Sequence, residues 1–193
     1  AWSAAGRARV VLRPGDDLAP AARLLERWGA LLFEPWMARD GDFGAIGAVT
    51  DDGAEVLGIH AQAVDEAGRF RGLTVLRGLA TTAALGALDR MTLEETARAV
   101  GDRLHDADYR GPFGIDAWTH VVDGRRALHP LGEINARLTM GFVAHAAVER
   151  LSERFPDDAN VSLAVGRGAP PDDAVPLLLP GTDDATSAWL TAR

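Results

Sequence analysis

The sequence contains no cysteine and no lysine. Its 20 basic residues other than histidine are therefore all arginines, and with 28 acidic residues the formal net charge at pH 7 is −8. Without cysteine, a disulfide framework and a thiolate zinc site are both excluded. The acidic balance argues against a sequence-independent grip on nucleic acid or on an anionic membrane, because both need a basic surface.

Long apolar runs are also missing. None approaches the roughly 20 residues that cross a bilayer, and no charged-then-apolar leader resembles a signal peptide. The sequence therefore predicts a soluble, cytoplasmic protein. Its length of 193 residues is within the range of one domain, and a hydrophobic content of 47% is enough for a real core.

The most informative stretch runs from Gly111 to Gly141. Residues 113–122 and 126–136 are predicted to be two antiparallel strands. Between them lies Asp123-Gly124, a dipeptide that tight hairpin turns favour. Such a hairpin brings the middle of the first strand close to the end of the second.

Three polar side chains meet on this hairpin. Side chains alternate along a strand, so Glu133 and Asn135 are predicted to point to one face and Ile134 to the other. The hairpin brings Asp116 towards that first face. Two carboxylates and an amide form an oxygen-only ligand set suited to Mg²⁺ (or Mn²⁺), which fills its other positions with water and substrate phosphate. The alternative is an ordinary solvated face.

These residues resemble a known signature. Phe-Gly-Ile-Asp at 113–116 followed by Glu-Ile-Asn-Ala-Arg at 133–137 is similar to the metal-binding motif of the ATP-grasp superfamily. The resemblance implies that Asp116, Glu133 and Asn135 hold the magnesium ions that bridge the phosphates of ATP. It also implies an α+β ATP-grasp fold of two lobes, with antiparallel sheets and packed helices.

The same resemblance implies a phosphate-binding loop near the start of the chain. In the family a lysine precedes a small, glycine-containing loop, and residues 2–7 look like that loop without the lysine. We therefore expect the chain to lack the family's N-terminal domain and the first strands of its nucleotide lobe. The phosphate-contacting residues implied here are Ser3, Ala4, Gly6 and Arg7.

Adenine recognition is expected at the hinge between the lobes. The apolar run 30–33 is predicted to be a short buried strand leading into the hinge residues Glu34, Pro35, Trp36 and Met37. Pro35 lacks an N–H but keeps the carbonyl that would accept from the adenine amine, and the N–H of Met37 would be the donor. Asp42 matches the family's ribose-binding acid. The alternative is a strand end with a solvated acid and a core tryptophan.

Other patterns predict the elements around these sites. Thr92 and Glu95 form a capping-box pattern for a helix. Residues 72–92 could not be assigned. The predicted strands are 9–13, 43–49, 55–63, 160–165 and 175–179, and the predicted helices are 18–28, 93–107 and one beginning near Thr139.

Taken together, the resemblance implies that residues 1–193 are an ATP-grasp region, with 1–34 ending the smaller nucleotide lobe and 35–193 forming the larger lobe. The implied activity is an ATP- and Mg²⁺-dependent ligase that activates a carboxylate as an acyl phosphate for attack by an amine or thiol. Arg137 would clamp the anion as the catalytic residue. A phosphotransferase and a degenerate nucleotide-binding module are the alternatives. The implied partners are small-molecule substrates and a missing N-terminal domain, and a homo-oligomer remains open.

Overall fold

A computed structural model describes most of the chain. Five of the residues expected to contact the nucleotide, Ser3, Ala4, Gly6, Arg7 and Trp36, lie outside the described part, so their roles stay predictions. The described residues are 10–35, 37–65, 70–77, 85–155, 159–179 and 185–192.

Within these residues, eight strands form one antiparallel sheet in the order β5-β4-β1-β2-β3-β6-β8-β7. Together with helices on its faces, this sheet gives the α+β class expected from the sequence. The strands are β1 Arg39–Thr50, β2 Gly53–Val64, β3 Phe70–Val75, β4 Gly111–Val122, β5 Arg125–Asn135, β6 Val161–Arg167, β7 Val175–Leu178 and β8 Thr186–Ala192.

The described helices are α1 Ala19–Trp28, α2 Ala87–Asp106 and α3 Met140–Arg150. α1 ends where predicted, because Gly29 adopts the left-handed conformation that closes a helix. None of its residues is buried. The described residues before β1 contain α1 and no strand, so the division of the chain into two lobes at residue 34 stays a prediction.

α2 and α3 each cover a separate hydrophobic core. The first core joins Leu93, Ala97 and Val100 of α2 to inward side chains of β1, β2 and β4, among them Phe113. The second joins α3 to β3, β6 and β8. Gly141 in the first turn of α3 packs against β1 and β2, since a Cβ there would lie within 2.7 Å of both His60 and Ile46. α3 therefore borders the sheet face on which those two side chains lie.

The predicted hairpin of β4 and β5 is confirmed. The strands pair antiparallel from Gly114 opposite Asn135 to Val122 opposite Arg125. The turn residues Asp123 and Gly124 have φ of 51° and 73°. Positive φ at both central positions is the type I′ geometry that suits the twist of paired strands.

Three local predictions are wrong. Residues 30–33 form no strand, and Leu32 and Phe33 are 84% and 85% exposed; no described strand pairs with them, so an apolar run alone does not make a strand. Residues 10–13 of the predicted strand 9–13 are likewise unpaired. α2 begins after Gly86, six residues before the predicted start at the capping box. Thr92 therefore lies inside the helix, where its hydroxyl donates to the Leu88 carbonyl instead of capping a helix end.

No described helix is both long enough and apolar enough to cross a membrane.

Candidate metal and nucleotide site

The hairpin pairs two acidic residues across neighbouring strands. Asp116 of β4 lies directly opposite Glu133 of β5, and on its other side Asp116 is opposite Gly44 of β1. Like charges directly opposite each other destabilise a sheet. Within the described part of the chain, neither carboxylate forms an ion pair with an arginine or histidine. This arrangement is one that a bound cation would stabilise.

Asp116 is also the centre of a hydrogen-bonded network. The Gln62 Nε2 donates to Asp116 Oδ1 at 2.8 Å, and the Asn135 Nδ2 donates to Asp116 Oδ2 at 3.3 Å. The Arg137 Nη2 in turn donates to Asn135 Oδ1 at 2.7 Å. The structure thus brings together Asp116, Asn135 and Arg137 as the sequence predicted, and adds Gln62, which the sequence did not indicate.

Burial raises the pKa of Asp116 above its ordinary value. The hydrogen bonds from Gln62 and Asn135 and the charge of Arg137 act in the opposite direction, whereas the nearby Asp42 raises the pKa further. A cation at this position would favour the ionised carboxylate, because an opposite charge within a few ångströms stabilises the charged form.

The chemistry of the donor set fits Mg²⁺. Asp116, Glu133 and the side-chain oxygen of Asn135 are all oxygen donors, and Mg²⁺ is bound by few protein ligands together with water and phosphate. The described residues contain no group of three or more His, Asp or Glu placed to hold a metal. Here an amide completes the set, and its oxygen accepts the Arg137 hydrogen bond.

The N-terminus of α3 adjoins these ligands. Thr139 is its N-cap residue but makes no capping hydrogen bond with its side chain. A Cβ on Gly114, the strand partner of Asn135, would lie 3.1 Å from Thr139 Cγ2. The first-turn N–H groups of a helix carry a partial positive charge and bind anions. The site therefore combines acidic side chains with the N-terminus of a helix.

Asp42 lies on β1 opposite Trp118 and is mostly buried, with 18% of its side chain exposed. Its Oδ1 accepts from Arg39 Nη1 at 3.0 Å. The Arg39 guanidinium also sits 4.0 Å above the Trp118 ring, whose centroid is 4.2 Å from that of His129 in a near-parallel stack. Asp42 is thus on the sheet near Asp116, while its predicted ribose contact stays a prediction.

The described hinge residues, Glu34, Pro35 and Met37, precede β1 and belong to no strand. Glu34 and Pro35 are exposed, and Met37 is half-buried. The strand expected to lead into them is not formed, so their predicted contacts with adenine find no support in the pairing of the sheet and stay predictions.

A histidine pair, of which His60 is buried and His145 is partly buried, lies beside the network. His60 of β2 is 4% exposed, and its ring meets that of His145 of α3 edge-on at 5.8 Å between centroids. Burial lowers the pKa of His60 to about 3, with a smaller contribution from the charge of His145, and burial lowers the pKa of His145 to about 4. Both imidazoles are therefore neutral at pH 7.

This burial predicts an acid-sensitive fold. Between pH 7 and 5.5, we expect the unfolding free energy to fall by about 1.3 kcal/mol through His60 alone, because His60 is protonated in the unfolded chain and stays neutral in the native state. The loss begins near the ordinary pKa of 6.5 and continues down to the folded value of about 3. Urea denaturation at both pH values tests it. His60→Leu should show a smaller pH dependence, and equal slopes for variant and wild type would contradict the assignment.

A cavity of about 770 Å³ lies apart from this network. Residues of α2, α3 and the strands β1, β2 and β3 line it, among them Arg90, Arg98, His145 and Glu149. None of Asp116, Glu133 and Asn135 lines it. Of these three residues, Asn135 is buried and Glu133 is exposed.

Comparisons with known proteins agree with the fold. No family profile and no curated protein sequence matches the chain. Solved structures do match. They include a biotin carboxylase–β,γ-ATP complex from Campylobacter jejuni (8% identity, TM-score 0.57, 91% of this chain and 47% of that one) and an N5-carboxyaminoimidazole synthetase from Staphylococcus aureus complexed with ADP (10%, 0.52, 83% and 47%). A phosphoribosylaminoimidazole carboxylase ATPase subunit from Aquifex aeolicus matches at 12% identity and a TM-score of 0.51, over 83% of this chain and 53% of that one.

The chain therefore has the fold of ATP-grasp proteins, as the sequence signature predicted. It spans about half the length of each of the three structures. At identities of 8–12% the shared fold does not carry over a particular reaction.

Proposed function

We propose that this chain is the metal- and nucleotide-binding part of an ATP-dependent ligase, which activates a carboxylate as an acyl phosphate for attack by an amine or a thiol and releases ADP. The observation that carries the proposal is that Asp116 and Glu133 are opposite each other in the pairing of the hairpin, and that Asn135 donates a hydrogen bond to Asp116. The ATP-grasp fold supports it.

Asp116, Glu133 and Asn135 are the residues that would hold Mg²⁺. When bound, the ion would neutralise phosphate charge at the site of transfer. The protein's own work is positioning and electrostatics, as in phosphoryl transfer generally, so no covalent nucleophile is needed. The absence of cysteine is compatible with this chemistry.

Arg137 is proposed to hold the substrate carboxylate or the phosphoryl group. Arg137 is an exposed residue two positions before the N-cap of α3, and its guanidinium donates to Asn135 Oδ1 and to the carbonyl of Leu138. Together, the guanidinium and the first-turn N–H groups of α3 provide the positive charge that an anionic substrate needs.

The nucleotide would extend from this site along the sheet. Asp42 is proposed to bind the ribose, Glu34 to Met37 the adenine, and Ser3, Ala4, Gly6 and Arg7 the phosphates. The proposed substrates are a small carboxylate and an amine, and a further N-terminal domain of the same protein would complete their site.

The complete protein, assayed with panels of carboxylates and amines, tests the reaction class. We expect ADP release to require both substrates and the amide to appear by mass spectrometry. ADP formed in step with a stable phosphorylated product and without an amine would instead identify a phosphotransferase.

Arg137→Lys should slow turnover by about tenfold or more while leaving Mg-ATP affinity nearly unchanged, because lysine keeps the charge but not the bidentate fork that stabilises developing charge. Initial rates and calorimetry separate the two effects. Arg150→Lys, in the last turn of α3, is the matched control. If Arg137→Lys turns over at the wild-type rate, the role proposed for the Arg137 side chain in the reaction is wrong.

A further inference from the structure

Gln62 contacts the proposed site without belonging to the predicted ligand set. Its Nε2 donates to Asp116 Oδ1 at 2.8 Å and lies 3.4 Å from the carbonyl of Phe43. We infer that Gln62 is a positioning residue, which fixes the Asp116 carboxylate in the orientation that receives the metal ion. This inference rests on the proposed metal site.

The contact spans an entire strand. Gln62 is on β2 and Asp116 is on β4, with β1 between them. Neighbouring strands lie about 4.8 Å apart, so β2 and β4 are separated by about twice that distance. The side chain of Gln62 must therefore pass over the backbone of β1 to reach Asp116.

Gly44 provides the passage. It stands on β1 directly between His60 of β2 and Asp116 of β4 in the paired register. A Cβ at this position would lie 3.0 Å from Gln62 Nε2 and 2.6 Å from His60 Nε2. Any side chain at residue 44 would thus crowd the path that Gln62 takes. The absence of a side chain at Gly44 thus allows Gln62 to reach Asp116.

The two amide donors restrain the carboxylate from both oxygens. Gln62 holds Oδ1, and Asn135 holds Oδ2. The additional contact with the Phe43 carbonyl restrains the Gln62 amide itself. Hydrogen-bonding partners of metal ligands orient those ligands, and their loss typically lowers metal affinity by about 10- to 100-fold. A carboxylate restrained in this way loses less freedom when the cation binds.

Gln62→Met keeps the length of the side chain and removes the donor. In the complete protein with ADP as the probe, we expect the affinity for Mn²⁺, measured by electron paramagnetic resonance, to fall by about tenfold. ADP affinity in the presence of EDTA should not change. Thr74→Val is the control, because it removes the hydrogen bond between Thr74 and Ser162 elsewhere in the sheet; it should leave Mn²⁺ affinity at the wild-type value.

Gly44→Ala gives a second test, since the added Cβ would crowd Gln62 Nε2 at 3.0 Å, as well as His60 Nε2 at 2.6 Å, and leaves the Gln62 side chain itself unchanged. It should reproduce the loss of Mn²⁺ affinity, and the double variant should be no weaker than the weaker single variant, because both changes break the same contact. Wild-type Mn²⁺ affinity in a folded Gln62→Met protein, or fully additive losses in the double variant, would overturn the role of Gln62. Failure of the wild-type protein to bind Mn²⁺ with ADP would instead overturn the metal site itself.

Discussion

Replacing Asp116 by Asn, or Glu133 by Gln, is expected to weaken Mg²⁺-dependent ATP binding by about a hundredfold. Losing a residue that only hydrogen-bonds to a metal ligand lowers metal affinity by about 10- to 100-fold, and losing a ligand itself should reach the upper end of that range. Each change removes one anionic oxygen and leaves side-chain size almost unaltered. The two residues are opposite each other in the strand pairing, and neither belongs to the hydrophobic core that α2 covers. We therefore expect folding to be unimpaired while binding is lost.

Calorimetry of the complete protein with ATP, in the presence of Mg²⁺ and of EDTA, separates the metal-dependent part of the affinity. Asp106→Asn is the matched control, because this carboxylate is on α2 with 69% of its side chain exposed. Equal affinity of wild type and both site variants for Mg-ATP would sink the metal assignment. A loss that appears equally in EDTA would show that these residues serve the fold or the nucleotide instead.

Phe113→Ala is expected to have the largest effect on stability, about 3–5 kcal/mol of unfolding free energy, as for other aromatic truncations in a core. The ring is fully buried under α2. Two glycines leave the space that the ring occupies. A Cβ on Gly47 would lie 2.5 Å from Phe113 Cζ, and a Cβ on Gly101 would lie 2.9 Å from it. Neither backbone can easily collapse onto the space left by the ring, so we expect a cavity to remain.

Urea denaturation measures this cost, with Leu88→Ala on α2 as the control because Leu88 is 78% exposed. The control should change stability by less than about 0.5 kcal/mol. A loss below about 1 kcal/mol for Phe113→Ala would mean that the core refills the site and that α2 is not held to the sheet as described.

The hairpin was predictable because its signals are local. Asp123-Gly124 fixes the turn, and strand alternation then fixes which of Glu133, Ile134 and Asn135 face Asp116. The family signature extended this to the ATP-grasp fold. Turn residues and periodicity also predicted the positions of α1, β1 and β2 and the start of α3.

The remaining features depend on contacts that sequence spacing does not reveal. Gln62 lies 54 residues before Asp116, and its role appears only once β2 and β4 are known to flank β1. The run 30–33 has the composition of a buried strand, but pairing and cover decide its structure. Thr92 matched a capping pattern, yet its hydroxyl is satisfied inside a longer helix.

The most direct measurement is the anomalous diffraction of crystals of the complete protein grown with Mn²⁺ and ADP. Mn²⁺ shares the oxygen ligands of Mg²⁺ and gives an anomalous signal that identifies it. The proposed function predicts a peak bound by Asp116, Glu133 and Asn135 and in contact with a phosphate oxygen of ADP. The proposal would be contradicted by an ordered ADP molecule whose Mn²⁺ is held by other residues, while Asp116 keeps only its hydrogen bonds from Gln62 and Asn135.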